Sequence, residues 1–75
     1  MNKVAEHLLD RAEIREVSAR QAGEVVERLE DELTKETCPD LKASLRARIA
    51  VRKADQANDL KAAKIYRLEA RKCKG

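Results

Sequence analysis

The sequence predicts an all-α fold: an antiparallel helical hairpin of two long helices, expected to dimerise into a four-helix bundle. Three observations carry this expectation. Charged residues make up 41% of the 75 positions, and strong helix formers dominate, with only two Gly and one Pro as breakers. Large aliphatics are few, at eight Leu, five Val and three Ile, which describes long helices with a thin core. The one proline, Pro39, lies near the middle, and apolar residues recur at helical spacing on both sides of it. The chain reads as a single helical-hairpin domain, residues 1–75.

The first helix is expected over about 3–36. Asn2 is placed to cap it. Its apolar stripe runs Val4, Leu8, Ala12, Arg15, Ala19, Ala22, Val26, Leu29 and Leu33, in steps of three and four close to a heptad seam. Ile14 and Val25 widen one flank, and Glu6, Glu13, Glu24, Glu27 and Asp31 take the opposite face. Two positions disturb the pattern. Gly23 costs about 1 kcal/mol against Ala in a helix interior, and it either bends the helix or admits a close neighbour. A break there would give the alternative fold, a short three-helix arrangement. Arg15 falls inside the stripe, where its stem can lie along the seam and its head can reach a carboxylate or fix the register.

The turn is expected at 37–39. The residue before proline avoids the α region, and proline suits the first turn of a new helix. Thr37 and Asp40 have the spacing of a capping box. So short a link makes its two helices antiparallel neighbours.

The second helix is expected over about 39–72. It holds eight of the twelve alanines. One stripe reads Ala43, Ala47, Ala50, Ala54 and Ala57, with Val51, Ile65 and Leu68 near the same face. Another reads Leu41, Leu45, Ile49, Leu60 and Ala63. Two stripes on one helix call for two neighbours: the first helix, and a second copy or a target protein. The candidate dimer or partner interface is therefore Leu41, Leu45, Ala47, Ile49, Ala50, Ala54, Ile65 and Leu68. Asn58 sits beside the alanine stripe, where a buried Asn would fix register.

A basic row lies between the stripes: Lys42, Arg46, Lys53, Lys64, Arg67 and Arg71, all within about 60° at 100° per residue. It is the candidate nucleic-acid face. Net charge is +3 and pI about 9.1, but residues 1–36 carry −4 and residues 37–75 carry +7. Halves of opposite sign favour folding back, antiparallel pairing of copies, or an acidic partner.

These features also exclude chemistry. His7, Cys38 and Cys73 are the soft metal ligands, and a hairpin holds the two cysteines about 50 Å apart. No metal site, no cofactor and no intrachain disulfide are expected. Ser18 and Ser44 have no base near them, the acidic run Glu30-Asp31-Glu32 has no apolar surroundings to raise its pKa, and so thin a chain encloses no pocket. No catalytic residue and no enzymatic activity are expected. Neither Gly belongs to a phosphate-cradling loop. The opening Met1 to His7 carries charge where a secretory leader would be apolar, and the longest apolar run is Ile49-Ala50-Val51. A reducing, cytoplasmic setting without membrane contact is expected. What remains is a small interaction protein, an adaptor or regulator of the sort phages and plasmids encode, acting by protein–protein binding as a homodimer. The alternatives are an RNA- or DNA-binding helical dimer and a structural oligomerisation or scaffolding module.

Overall fold

The structure, a computed structural model, describes residues 3–74. Asn2, the expected cap, lies outside the described residues. Two helices account for nearly all of them: α1 over Lys3–Lys35 and α2 over Pro39–Lys74, with no strand among the described residues. They lie side by side along nearly their whole length and form a rod of 56 × 13 × 11 Å. α1 is continuous through Gly23, which removes the three-helix alternative. It stops one residue short of the expected end, and α2 runs on past Lys72.

The turn is Glu36-Thr37-Cys38. The Glu36 amide closes α1 by donating to the carbonyls of Glu32 and Leu33, at 3.0 and 3.3 Å. The Glu36 carboxylate then accepts from the amides of Thr37 and Cys38, both at 3.0 Å. The Cys38 carbonyl accepts the first bond of α2, from the Lys42 amide at 2.9 Å. Cys38 is therefore the cap residue and Pro39 the first helical position. The expected capping box does not form: Thr37 stands before the cap residue, and the Glu36 carboxylate, not Asp40, takes the Thr37 amide.

The α1 seam closely follows the predicted stripe. Ala5, Ala12, Ala19, Ala22, Val26 and Leu29 are buried, and Leu8 and Leu33 are half-buried. The stripe enters one residue later than expected, at Ala5, because 5, 12, 19 and 26 keep the seven-residue step; Val4 is exposed. The α2 seam takes Leu45, Ile49 and Ala63 from the second predicted stripe and leaves Leu41 and Leu60 exposed; the alanine stripe is not part of it. The seam runs Leu45, Ile49, Gln56, Asp59, Ala63, Tyr66 and Ala70, in heptad steps that take in polar residues.

The core is uneven along the rod. Near the turn Val26, Leu29, Leu45 and Ile49 form an aliphatic cluster, with Val25 and Leu33 against it. Toward the open end the buried hydrophobic residues are all alanines: Ala5, Ala12, Ala19 and Ala22 on α1, Ala63 and Ala70 on α2. Alanine seams bring the helices close but bury little area, so most of the hydrophobic stabilisation lies at the turn end.

Candidate interaction surfaces

The polar cluster at mid-rod fixes how the two helices meet. Asp59 is only 8% exposed. Its Oδ1 accepts from Arg15 Nη1 at 3.0 Å and its Oδ2 from Ser18 Oγ at 2.8 Å. No buried side-chain nitrogen or oxygen among the described residues lacks a partner. The Ser18 hydroxyl, and next the Arg15 guanidinium, hold the Asp59 carboxyl below its ordinary value against the opposing effect of desolvation. Arg15 lies in the seam as the sequence indicated, with a carboxylate at its head. Asn58 is exposed, and the buried polar residue is its neighbour Asp59. A signal for Asp59 was present in the sequence: seven-residue steps from Ile49 and Ala63 lead to Gln56 and Ala70, and the same seam phase includes residue 59.

One side of the rod is ionic. Arg67 grips Glu16 in bidentate fashion, Nε to Oε2 at 2.9 Å and Nη2 to Oε1. This bond holds the Glu16 carboxyl below its ordinary value. Further toward the turn Lys53 faces Glu30 at 3.9 Å. Two of the six residues in the basic row are thus engaged with the acidic helix of their own chain. Arg46, Lys64 and Arg71 stay exposed, and Lys42 is half-buried. Gly23 is here too: a Cβ on it would lie 2.9 Å from the Gln56 side-chain amide. The close neighbour is a side chain, not a second backbone.

The opposite side carries shallow grooves between the helices. One is lined by Val25, Leu29, Ala47, Arg48, Val51 and Arg52. The next, toward the open end, is lined by Ser18, Gln21, Ala22, Val25, Arg52, Asp55 and Asp59. A dip on α1 continues it past Ile14 and Val17. Val51 is 60% exposed and Ile14 67%.

Of the candidate interface residues, Leu45 and Ile49 lie at 8% exposure in the seam with α1 and are withdrawn from any outward surface. Leu41, Ala47, Ala50, Ala54, Ile65 and Leu68 all face outward. The alanine stripe is thus mostly the back of α2, turned away from α1, with Ala47 at its edge lining the groove beside Val25 and Leu29.

Cys38 and Cys73 sit at opposite ends of the rod and are not joined in a disulfide. Among the described residues no three His, Cys, Asp or Glu side chains come together as a metal-ligand set. Among the described residues no helix is long and apolar enough to cross a membrane.

No known protein family, curated protein or solved structure matches this chain. The functional reading therefore rests on these surfaces.

Proposed function

We infer that this chain is a non-enzymatic interaction protein, an adaptor or regulator that works as a self-associated helical bundle and binds a protein partner through α2. The observation that carries this reading is the exposed back of α2: alanines at heptad spacing from Ala43 to Ala57, then, past Lys61 and Lys64, Leu68 at 48% exposure with Ile65 near it. Heptad spacing is the pattern a helix presents to another helix, and this one is left over after α1 has taken its own seam. The bare area supports it. The hairpin exposes 5806 Å², whereas a compact monomer of 8.5 kDa would expose about 4,700 Å².

The test is co-purification of the tagged chain with its partner from the cells that make it, beside the variant Ala54→Glu/Leu68→Glu. Both sites are exposed, so the variant keeps its helicity. A partner retained by the wild type and lost by the variant supports the reading. A partner retained equally by both moves binding away from this face.

A second reading is favoured by the exposure of Arg46, Lys64 and Arg71: binding to RNA or DNA by a basic face. Lys53 and Arg67 are already engaged with Glu30 and Glu16, which weakens the row for phosphates. Phosphate binding falls steeply with salt. A gel shift at low salt that Arg46→Gln/Lys64→Gln abolishes would favour it, and no shift with any nucleic acid removes it. A scaffolding role would instead give a mass that grows with concentration beyond the dimer.

A further inference from the structure

Past Asp59, α2 carries its seam to α1 on Ala63, Tyr66 and Ala70. The rows on the far side of the helix hold six residues: Lys61 and Leu68, Lys64 and Arg71, Ile65 and Lys72, each pair seven apart. All six are exposed, Ile65 at 46% and Leu68 at 48%. Along the axis they form three layers: Lys61 with Lys64, then Ile65 with Leu68, then Arg71 with Lys72. From Lys61 to Lys72 the patch spans about 16 Å at 1.5 Å per residue.

Its cations are unpaired. Elsewhere on α2 Arg67 is held by Glu16, and Lys53 faces Glu30. Among the described residues Lys61, Lys64, Arg71 and Lys72 make no ion pair. Glu69 is the only acid after Asp59, and it continues the groove-side row of Asp55 and Ala62. The rod exposes a second aliphatic pair at the same spacing, Ile14 and Val17 on α1. That pair has both signs within a turn of it, Asp10 and Glu13 but also Arg11 and Arg20. The α2 pair is bracketed by positive charge on both sides.

We propose that this patch docks an acidic amphipathic helix of a protein partner, with an apolar pair bracketed by acids one turn before and one turn after. The inference rests on the protein-partner reading and deepens it by giving the partner's chemistry and its seat on α2. Phosphates of a duplex would satisfy the four cations but set Ile65 and Leu68 against the charged backbone. Tyr66 is half-buried in the seam, so no aromatic ring is free to stack on an unpaired base. A bilayer surface calls for a broader apolar face than two side chains. A second copy fits half of the patch. Its Asp10, Glu13, Ile14, Val17, Arg20 and Gln21 repeat the spacing of the six patch residues. Whichever way it runs, Arg20 then lies against one layer of cations. A helix with acids at both ends of its apolar pair meets all three layers, in either direction, because the pattern reads nearly the same backward. Helix faces recognise each other through such spacing, and complementary charge fixes the choice of partner.

The probe is a stapled synthetic helix carrying Glu, Glu, Leu, Leu, Glu and Glu at the spacing of the six patch residues, added to the isotope-labelled chain. Changes in the amide spectrum should centre on Lys61 to Lys72. Replacing the four Glu of the probe by Gln should weaken binding about fivefold or more. Lys61→Glu/Arg71→Glu alters exposed sites only and should keep its helical circular dichroism. It should lose the acidic probe and take up one with Lys in place of Glu. Equal binding of the Glu and Gln probes, changes centred elsewhere, or no change at millimolar probe overturns the proposal. So does a short DNA duplex, or a vesicle of anionic phospholipid, that binds the patch more tightly than the acidic helix. Self-association that Lys61→Glu/Arg71→Glu abolishes would give the patch to a second copy instead. Co-purification separates the two levels. A partner lost by Ala54→Glu/Leu68→Glu but kept by Lys61→Glu/Arg71→Glu overturns the acidic partner and leaves the protein-partner reading standing. A partner kept by both overturns both.

Discussion

Asp59 is the residue on which the helix register turns, and its chemistry predicts an acid sensitivity. Asp59 and Glu16 both titrate below their ordinary values of 3.8 and 4.5 in the folded chain, because Ser18 and Arg15, and Arg67, bind the charged forms. The unfolded chain therefore binds protons first. The stability these carboxylates add is complete above about pH 5 and is lost as the pH falls through 4.5 toward the depressed folded values. Urea midpoints measured from pH 6 to pH 3 should fall steeply for the wild type. The loss should be smaller for Asp59→Asn, which starts lower at pH 6. Equal slopes for the two proteins would deny Asp59 this role. Gly23 predicts the opposite kind of change. The atom in the way of a Cβ is the far end of the flexible Gln56 side chain, which can swing aside. Gly23→Ala should stabilise the hairpin by about 0.5–1 kcal/mol, read from its thermal or urea midpoint. A loss of stability would mean that Gln56 cannot move.

At the scale of the helices, the two elements were unequally legible. The α1 seam could be read because its heptad positions are apolar except Arg15, and the turn could be read because proline and a three-residue link admit few geometries. The α2 seam was legible only at Leu45, Ile49 and Ala63, because Gln56, Asp59 and Tyr66 occupy the rest of it, while alanines, Ile65 and Leu68 take the back. Apolarity alone leaves two faces of α2 open when the true seam is stapled by a carboxylate and the outward one is left bare. The basic row was legible as a row, but its pairing with Glu16 and Glu30 needed the register that Asp59 sets. Substitutions should separate the faces. Ile49→Ala removes part of the aliphatic cluster at a site 8% exposed and should cost about 2–5 kcal/mol, enough to unfold so thin a protein. Leu68→Ala on the back of α2 should change the urea midpoint of the hairpin by about 0.5 kcal/mol or less. Comparable losses for both would place Leu68 in a core.

The whole molecule is a rod whose buried large aliphatic side chains are gathered near one end. Amide hydrogen exchange should be slowest around Val26–Leu29 and Leu45–Ile49 and should quicken toward Lys3 and Lys74, where alanine layers hold the helices. Uniform protection along both helices would contradict this gradient. The same unevenness has a mechanical consequence. Lys3 and Lys74 share the open end, so tension applied between them peels the helices apart layer by layer instead of shearing them. The alanine rungs yield first, each at small force, and the Arg67–Glu16 pair and then Asp59 are the first catches. Beyond them the aliphatic clasp beside the turn holds until the load is high, which gives the rod the behaviour of a zip fastened most firmly at its closed end.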